Sequence, residues 1–145
     1  MARYCSPSRM GSDGLPTSDA FKNRLNESYL SVNWLEYFGR TDIESAIEDV
    51  RGAFAGKRYR LSSNGRFAVL NVYEAKNAAA AAVEPLRLQI DIRHSPTTDD
   101  PSHAGIFGYG EDELLDLRLA VELRRLVSVE HVFLAVKESD QNPLP

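Results

Sequence analysis

Three features of the sequence predict a single α+β domain. Residues 41–55 and 111–127 repeat apolar side chains at helical spacing, whereas residues 29–34 and 86–93 alternate apolar and polar side chains as half-buried strands do. An Asn-Gly turn signal separates two further strand-like runs, and a chain of 145 residues suits one core. Long helices among hairpin-capable strands lead to a mixed or mainly antiparallel sheet of about five strands, packed with two main helices. No internal repeat is visible. Residues 1–145 are therefore read as one domain, with 1–28 a partly irregular N-terminal segment and 138–145 a flexible, Pro-ended tail.

Ala2 to Cys5 reads as a short strand stopped by Ser6-Pro7. Asp13-Gly14 signals a turn, and Thr17, Ser18 and Asp19 are candidate caps of a short helix starting near Ala20, with Phe21 as its apolar anchor. In the strand from Tyr29 to Trp34, Leu30, Val32 and Trp34 share one face and Tyr29, Ser31 and Asn33 the other. Ser18, Asp19, Ser31 and Asn33 are read either as caps and a solvent face or as the floor of a polar pocket.

Thr41 and Glu44 have the spacing of a capping box, and Ile43, Ala46, Ile47, Val50 and Phe54 then fall on one helical face. Gly56 is the natural stop. Lys57 to Arg60 and Phe67 to Tyr73 are read as the strands of a hairpin around Asn64-Gly65. The alanines from Ala78 to Ala82 are too short a run to hold a helix alone and are read as a helical turn or surface connection. Leu86 to Arg93 is the clearest strand. The helix from Glu111 to Val127 places acids in its first turn and Arg124 and Arg125 in its last, as the helix dipole favours. Leu114, Leu117 and Val121 form one stripe, with Leu115, Leu119 and Leu126 close by, so the helix is expected to be well buried. Val129 to Val136 is the final strand.

The net charge of −4 argues against generic coating of nucleic acid, which needs excess positive charge. One cysteine, Cys5, excludes an internal disulfide framework and a multi-cysteine zinc site. No apolar run approaches a membrane span, and the first residues lack the pattern of a signal peptide, so a cytoplasmic setting is expected and no membrane partner. G-x-S-x-G and G-x-x-x-x-G-K-[ST] are both missing, which removes the hydrolase and nucleotidase families that depend on them.

Two regions carry candidate chemistry. Residues 91–103 gather Asp91, Arg93, His94, Asp99, Asp100 and His103. His94, Asp99, Asp100 and His103 are the candidate catalytic groups, and His94, Asp100 and His103 the candidate ligands of a divalent metal, since imidazole and carboxylate serve both tasks. Asp-Asp-Pro-Ser is equally a plain turn sequence. Residues 57–66 hold Arg58, Tyr59, Arg60 and Arg66, which suit a phosphate with a stacked base or, alternatively, the negative end of the preceding helix. Cys5 is a nucleophile only if a base beside it lowers its pKa.

DG-x-x-x-S-x-AF from Asp13 to Phe21, LSV-x-W from Leu30 to Trp34 and DP-x-HA from Asp100 to Ala104 resemble a group of small uncharacterised bacterial proteins. The resemblance implies a small bacterial cytoplasmic protein in which Ser18, Phe21, Ser31 and His103 belong together. It supplies no activity.

The favoured expectation is a non-catalytic accessory protein, of antitoxin, immunity or defence type, that docks on a larger protein. Its binding residues are expected among Ser18, Phe21, Ser31, Arg58, Tyr59, Arg60 and Arg93, because separated acidic and Arg-rich segments suit electrostatic docking. No cofactor is expected on this reading. The alternatives are a metal-assisted hydrolase or nuclease using residues 91–103, and nucleic-acid binding through the Arg-rich hairpin at 57–66.

Overall fold

The computed structural model describes residues 1–24, 26–57, 59–82, 89–109 and 112–137. Among these the chain forms β1 (Ala2–Cys5), β2 (Tyr29–Asn33), α1 (Ile43–Ala55), β3 (Arg66–Val69), α2 (Val72–Ala82), β4 (Asp91–His94), β5 (His103–Phe107), α3 (Glu113–Arg125) and β6 (Val132–Leu134). The strands make one open sheet of six, ordered β4-β5-β2-β1-β3-β6, and every neighbouring pair is antiparallel. The α+β expectation therefore holds, with one strand and one helix more than the sequence suggested.

Strand alternation divides the core in two. Leu30 and Val32 of β2, Ala104 and Ile106 of β5, and Cys5 and Ala68 face α2, α3 and the 3-10 turn Ser18–Phe21, where Phe21, Ala75, Ala79, Leu119 and Leu123 are buried. On the other face Ala2, Phe67 and Val69 pack against Ala46, Ile47 and Val50 of α1. That second core contains residues of β1 and β3, with Phe133 of β6 packed against it, and none from the strands β2, β5 and β4. Among the described residues, α1 thus roofs one half of its face of the sheet and leaves the other half uncovered.

Several elements differ from their sequence expectation for identifiable reasons. The Asp42 side chain, not a Thr41/Glu44 box, caps α1 by accepting from Ser45 N at 2.8 Å, and Ile43 stays 39% exposed at the first turn. The hairpin at 57–73 does not form. Gly65 N does turn back onto Ser62 O at 2.9 Å, but β3 already has β1 and β6 on its two edges. Nor does β3 run on to Tyr73. Asn71 Oδ1 accepts from Tyr73 N and Glu74 N at 2.8 and 3.2 Å and starts α2, which absorbs the alanine run. Ala75 and Ala79 face inward, and their small side chains let α2 pack closely on α3.

In α3, Asp112 is the cap, and Leu119, Ala120 and Leu123 are the buried positions, while Leu114 and Leu117 are 57% and 39% exposed. Of the strand expected at 86–93, residues 86–88 lie outside the described residues and β4 begins at Asp91. The final strand is confined to β6, since Val129–His131 forms a 3-10 turn. β2 ends at Asn33, which leaves Trp34 40% exposed rather than in the core. The tail at 138–145 lies outside the described residues.

Candidate functional site

β1 and β2 meet in register only at Ala2 and Asn33 and then diverge, so backbone carbonyls along the gap need other donors. Arg3 supplies them. It follows Ala2 in β1, is 8% exposed, and donates from Nε to Ala20 O at 3.1 Å and from Nη1 to Ser31 O at 2.6 Å. The divergence opens a cleft of about 370 Å³ whose wall combines Arg3, Arg9, Arg24 and Lys57 with Tyr4, Phe54, Tyr59, Ser31, Asn33 and His103. Among the described residues, Glu27 is the one carboxylate in that wall.

The cations differ in how they are balanced. Lys57 is paired with Asp100, and Arg24 lies 3.7 Å from Glu27 at a solvent-exposed pair. Arg3 has no carboxylate partner among the described residues; its bonds go to carbonyls. Burial pushes its pKa down to about 10, and the positive charges of Arg9 and Arg24 act in the same direction. Arg3 therefore remains charged at neutral pH, desolvated and uncompensated, which is costly for a guanidinium.

Below the cleft Asp100 is the hub of a buried polar network. Its carboxylate accepts from Asn33 Nδ2 at 2.9 Å, from Ser102 Oγ at 2.8 Å, from Ser102 N at 3.2 Å and from Lys57 Nζ. Asn33 Nδ2 also donates to Ser102 Oγ at 2.8 Å. Burial alone would raise the Asp100 carboxyl; the bonds from Lys57, Ser102 and Asn33 outweigh it and hold the group below its ordinary 3.8. The network joins the end of β2, Lys57 just past the end of α1, and the loop before β5. It fixes that corner of the cleft and leaves Asp100 occupied.

The sequence-predicted residues divide accordingly. His94 Nε2 bonds to Pro101 O at 2.7 Å, and the ring stands against Trp34 and Tyr37 at 5.2 and 5.6 Å between centroids. His103 Nδ1 bonds to Ser95 O at 2.6 Å, and Asp99 takes the Thr97 hydroxyl at 2.8 Å. Among the described residues no three His, Cys, Asp or Glu side chains are grouped to hold a metal ion, so the set His94, Asp100 and His103 is not brought together. Cys5 is buried, which pushes its thiol up to about 11, away from nucleophile behaviour.

Ser31, His103 and Tyr59 do converge, on the cleft. The Asn33–Asp100 and Asn33–Ser102 bonds join the 29–34 and 100–104 motifs directly. Phe21 is core, with its carbonyl accepting from Tyr109 OH at 2.8 Å, and Ser18 lies on its 3-10 turn away from the cleft wall. Arg60 lines a separate, wider groove with Arg51 and Lys137, and Arg66 turns back onto Gly65 O at 2.8 Å. Arg58 lies outside the described residues. Arg93 is exposed on β4, tied to Asp91 Oδ2 at 2.7 Å, with its guanidinium 4.7 Å above the Phe107 ring.

Sequence reasoning missed Arg3, Arg9 and Arg24. They are scattered singly, so no charge run marks them. The available signal was Arg3 itself, a charged residue inside an otherwise apolar four-residue strand. No protein-family model matches this chain, and no curated protein or solved structure matches it.

Proposed function

We propose that this chain is a non-catalytic binding protein that receives an anionic group of its partner in the cleft around Arg3. The observation carrying this reading is Arg3: a buried guanidinium, lining an open cleft, without a carboxylate partner among the described residues and pressed upon by Arg9 and Arg24. An anion entering the cleft supplies the missing charge, and desolvated charge-assisted hydrogen bonds are the stronger kind. The groups that acid–base or nucleophilic chemistry would need are engaged elsewhere: Asp100 in its network, His94 and His103 at backbone carbonyls, and Cys5 in the core. The setting we favour is that of a small accessory protein in a bacterial cytoplasm, in keeping with the motif resemblance.

Titration calorimetry at low ionic strength tests this with inorganic tripolyphosphate, polyglutamate and oligouridylate as probes. At least one should bind, and Arg9→Glu and Arg24→Glu should each weaken binding about tenfold or more. Absence of binding by all three, or binding that neither reversal affects, overturns the reading.

A further inference from the structure

The uncovered half of the sheet continues the cleft as an aromatic surface. Tyr29 of β2 and His103 and Phe107 of β5 point to the face on which α1 packs, in the half that α1 leaves uncovered, because Leu30, Ala104 and Ile106 point to the opposite face. The Tyr29 ring lies 4.9 Å from Phe107 and 5.9 Å from His103, centroid to centroid. Gly105 makes this possible. It pairs with Ser31 and Arg93, and a Cβ there would stand 2.6 Å from the Tyr29 ring and 2.9 Å from that of Phe107. Arg93 extends the row over Phe107 from the edge strand. Tyr29 and Phe107 are half-buried, which keeps the rings fixed while leaving surface open.

This arrangement places flat π surfaces on a rigid sheet beside a cationic cleft, with Ser31 and His103 at the junction. Resting on the reading of the cleft as an anion site, we propose that the face binds single-stranded RNA. Bases stack on Tyr29 and Phe107, and the backbone phosphates turn into the cleft toward Arg3, Arg9 and Arg24. Base stacking on aromatics tolerates any sequence, and the guanidinium groups balance the phosphates. The Ser31 hydroxyl and the second ring nitrogen of His103, both in the cleft wall, are the polar groups that a ribose 2′-hydroxyl would pair with. An acidic peptide would use the cations but gain nothing from the aromatic row. With a net charge of −4 the chain offers RNA no general attraction, so binding rests on local cations such as those of the cleft.

Fluorescence anisotropy with a labelled oligouridylate of about ten nucleotides tests the assignment on the full chain. Affinity should fall as salt rises, and Tyr29→Leu and Phe107→Leu, which keep an apolar cover, should each weaken it about 5- to 100-fold. In the unaltered protein, photo-crosslinking of 5-iodouridine in the same oligomer should map to Tyr29 or Phe107. Crosslinks confined to other surfaces, unchanged affinity in both leucine variants, or equal affinity for duplex overturn the stacking assignment. Equal affinity for the matched DNA strand overturns the choice of RNA. Binding of polyglutamate without oligouridylate overturns this inference while sparing the anion site, whereas no binding by any anionic probe removes both.

Discussion

Lys57, just past the end of α1, holds the wholly buried carboxylate of Asp100 in the loop before β5. The pair is only one of the contacts made by Asp100, whose remaining lone pairs are taken by Asn33 and Ser102. Desolvating a carboxylate is tolerable under those conditions, and removing one partner is not. Lys57→Met should destabilise the protein by about 2–4 kcal/mol, read from urea denaturation, because it leaves a buried charge short of its cation. An effect within experimental error would mean that solvent replaces the ammonium without cost.

The same group predicts an acid limb of stability. Its pKa is held below the ordinary 3.8, so the folded protein binds fewer protons at this site than the unfolded chain does. The stabilisation is complete above about pH 5, begins to fall as pH approaches the ordinary value and is lost as pH falls through the folded value. Melting temperature between about pH 5 and about pH 2 should therefore fall more steeply for the unaltered protein than for Asp100→Asn. Parallel curves would assign the acid sensitivity to other carboxylates.

Gly105→Ala should distort the aromatic row. The added methyl meets the rings of Tyr29 and Phe107 at 2.6 and 2.9 Å, distances that require those rings to move. The expected cost is about 1–3 kcal/mol, the usual range for overpacking, accompanied by shifts of the Tyr29 and Phe107 ring signals in NMR spectra. A variant of full stability with unmoved ring signals would contradict the packing described for this face.

Cys5 should resist thiol reagents in the native state. It is buried and its thiol is raised to about 11, so little thiolate forms at mildly alkaline pH. Reaction with an aromatic disulfide reagent should be slow in buffer and rapid in denaturant. Fast native labelling would contradict the burial.

The start of α1 distinguishes two caps that are adjacent in sequence. Asp42→Ala should lower the melting temperature, while Thr41→Ala should leave it nearly unchanged. The reverse order would restore the Thr41/Glu44 capping box.

Local pattern revealed much of the fold and little of the site. The alternation of Tyr29 to Asn33 and the helical spacing of Ala46, Ile47 and Val50 were legible because burial repeats at a fixed period. The hairpin failed because an Asn-Gly turn is a local signal, whereas the partners of β3 are set by β1 and β6, which are distant in sequence. Similarly, α2 was hidden because Asn71, its capping residue, sits at the end of what reads as a continuing strand. The motif containing Asp100 and His103 was recognised as a cluster, but its proximity to Asn33 depends on the β2–β5 register. Arg3, Arg9 and Arg24 became neighbours only through the divergence of β1 from β2, which no pattern within either strand encodes.

Amide and arginine side-chain NMR during titration with tripolyphosphate tests the central claim most directly. If the cleft is an anion site, the Nε–H signal of Arg3 and the backbone signals of Ser31 and Lys57 should shift together and saturate, with shifts reduced in Arg24→Glu. Saturating shifts on another surface, or none at Arg3, would contradict the account.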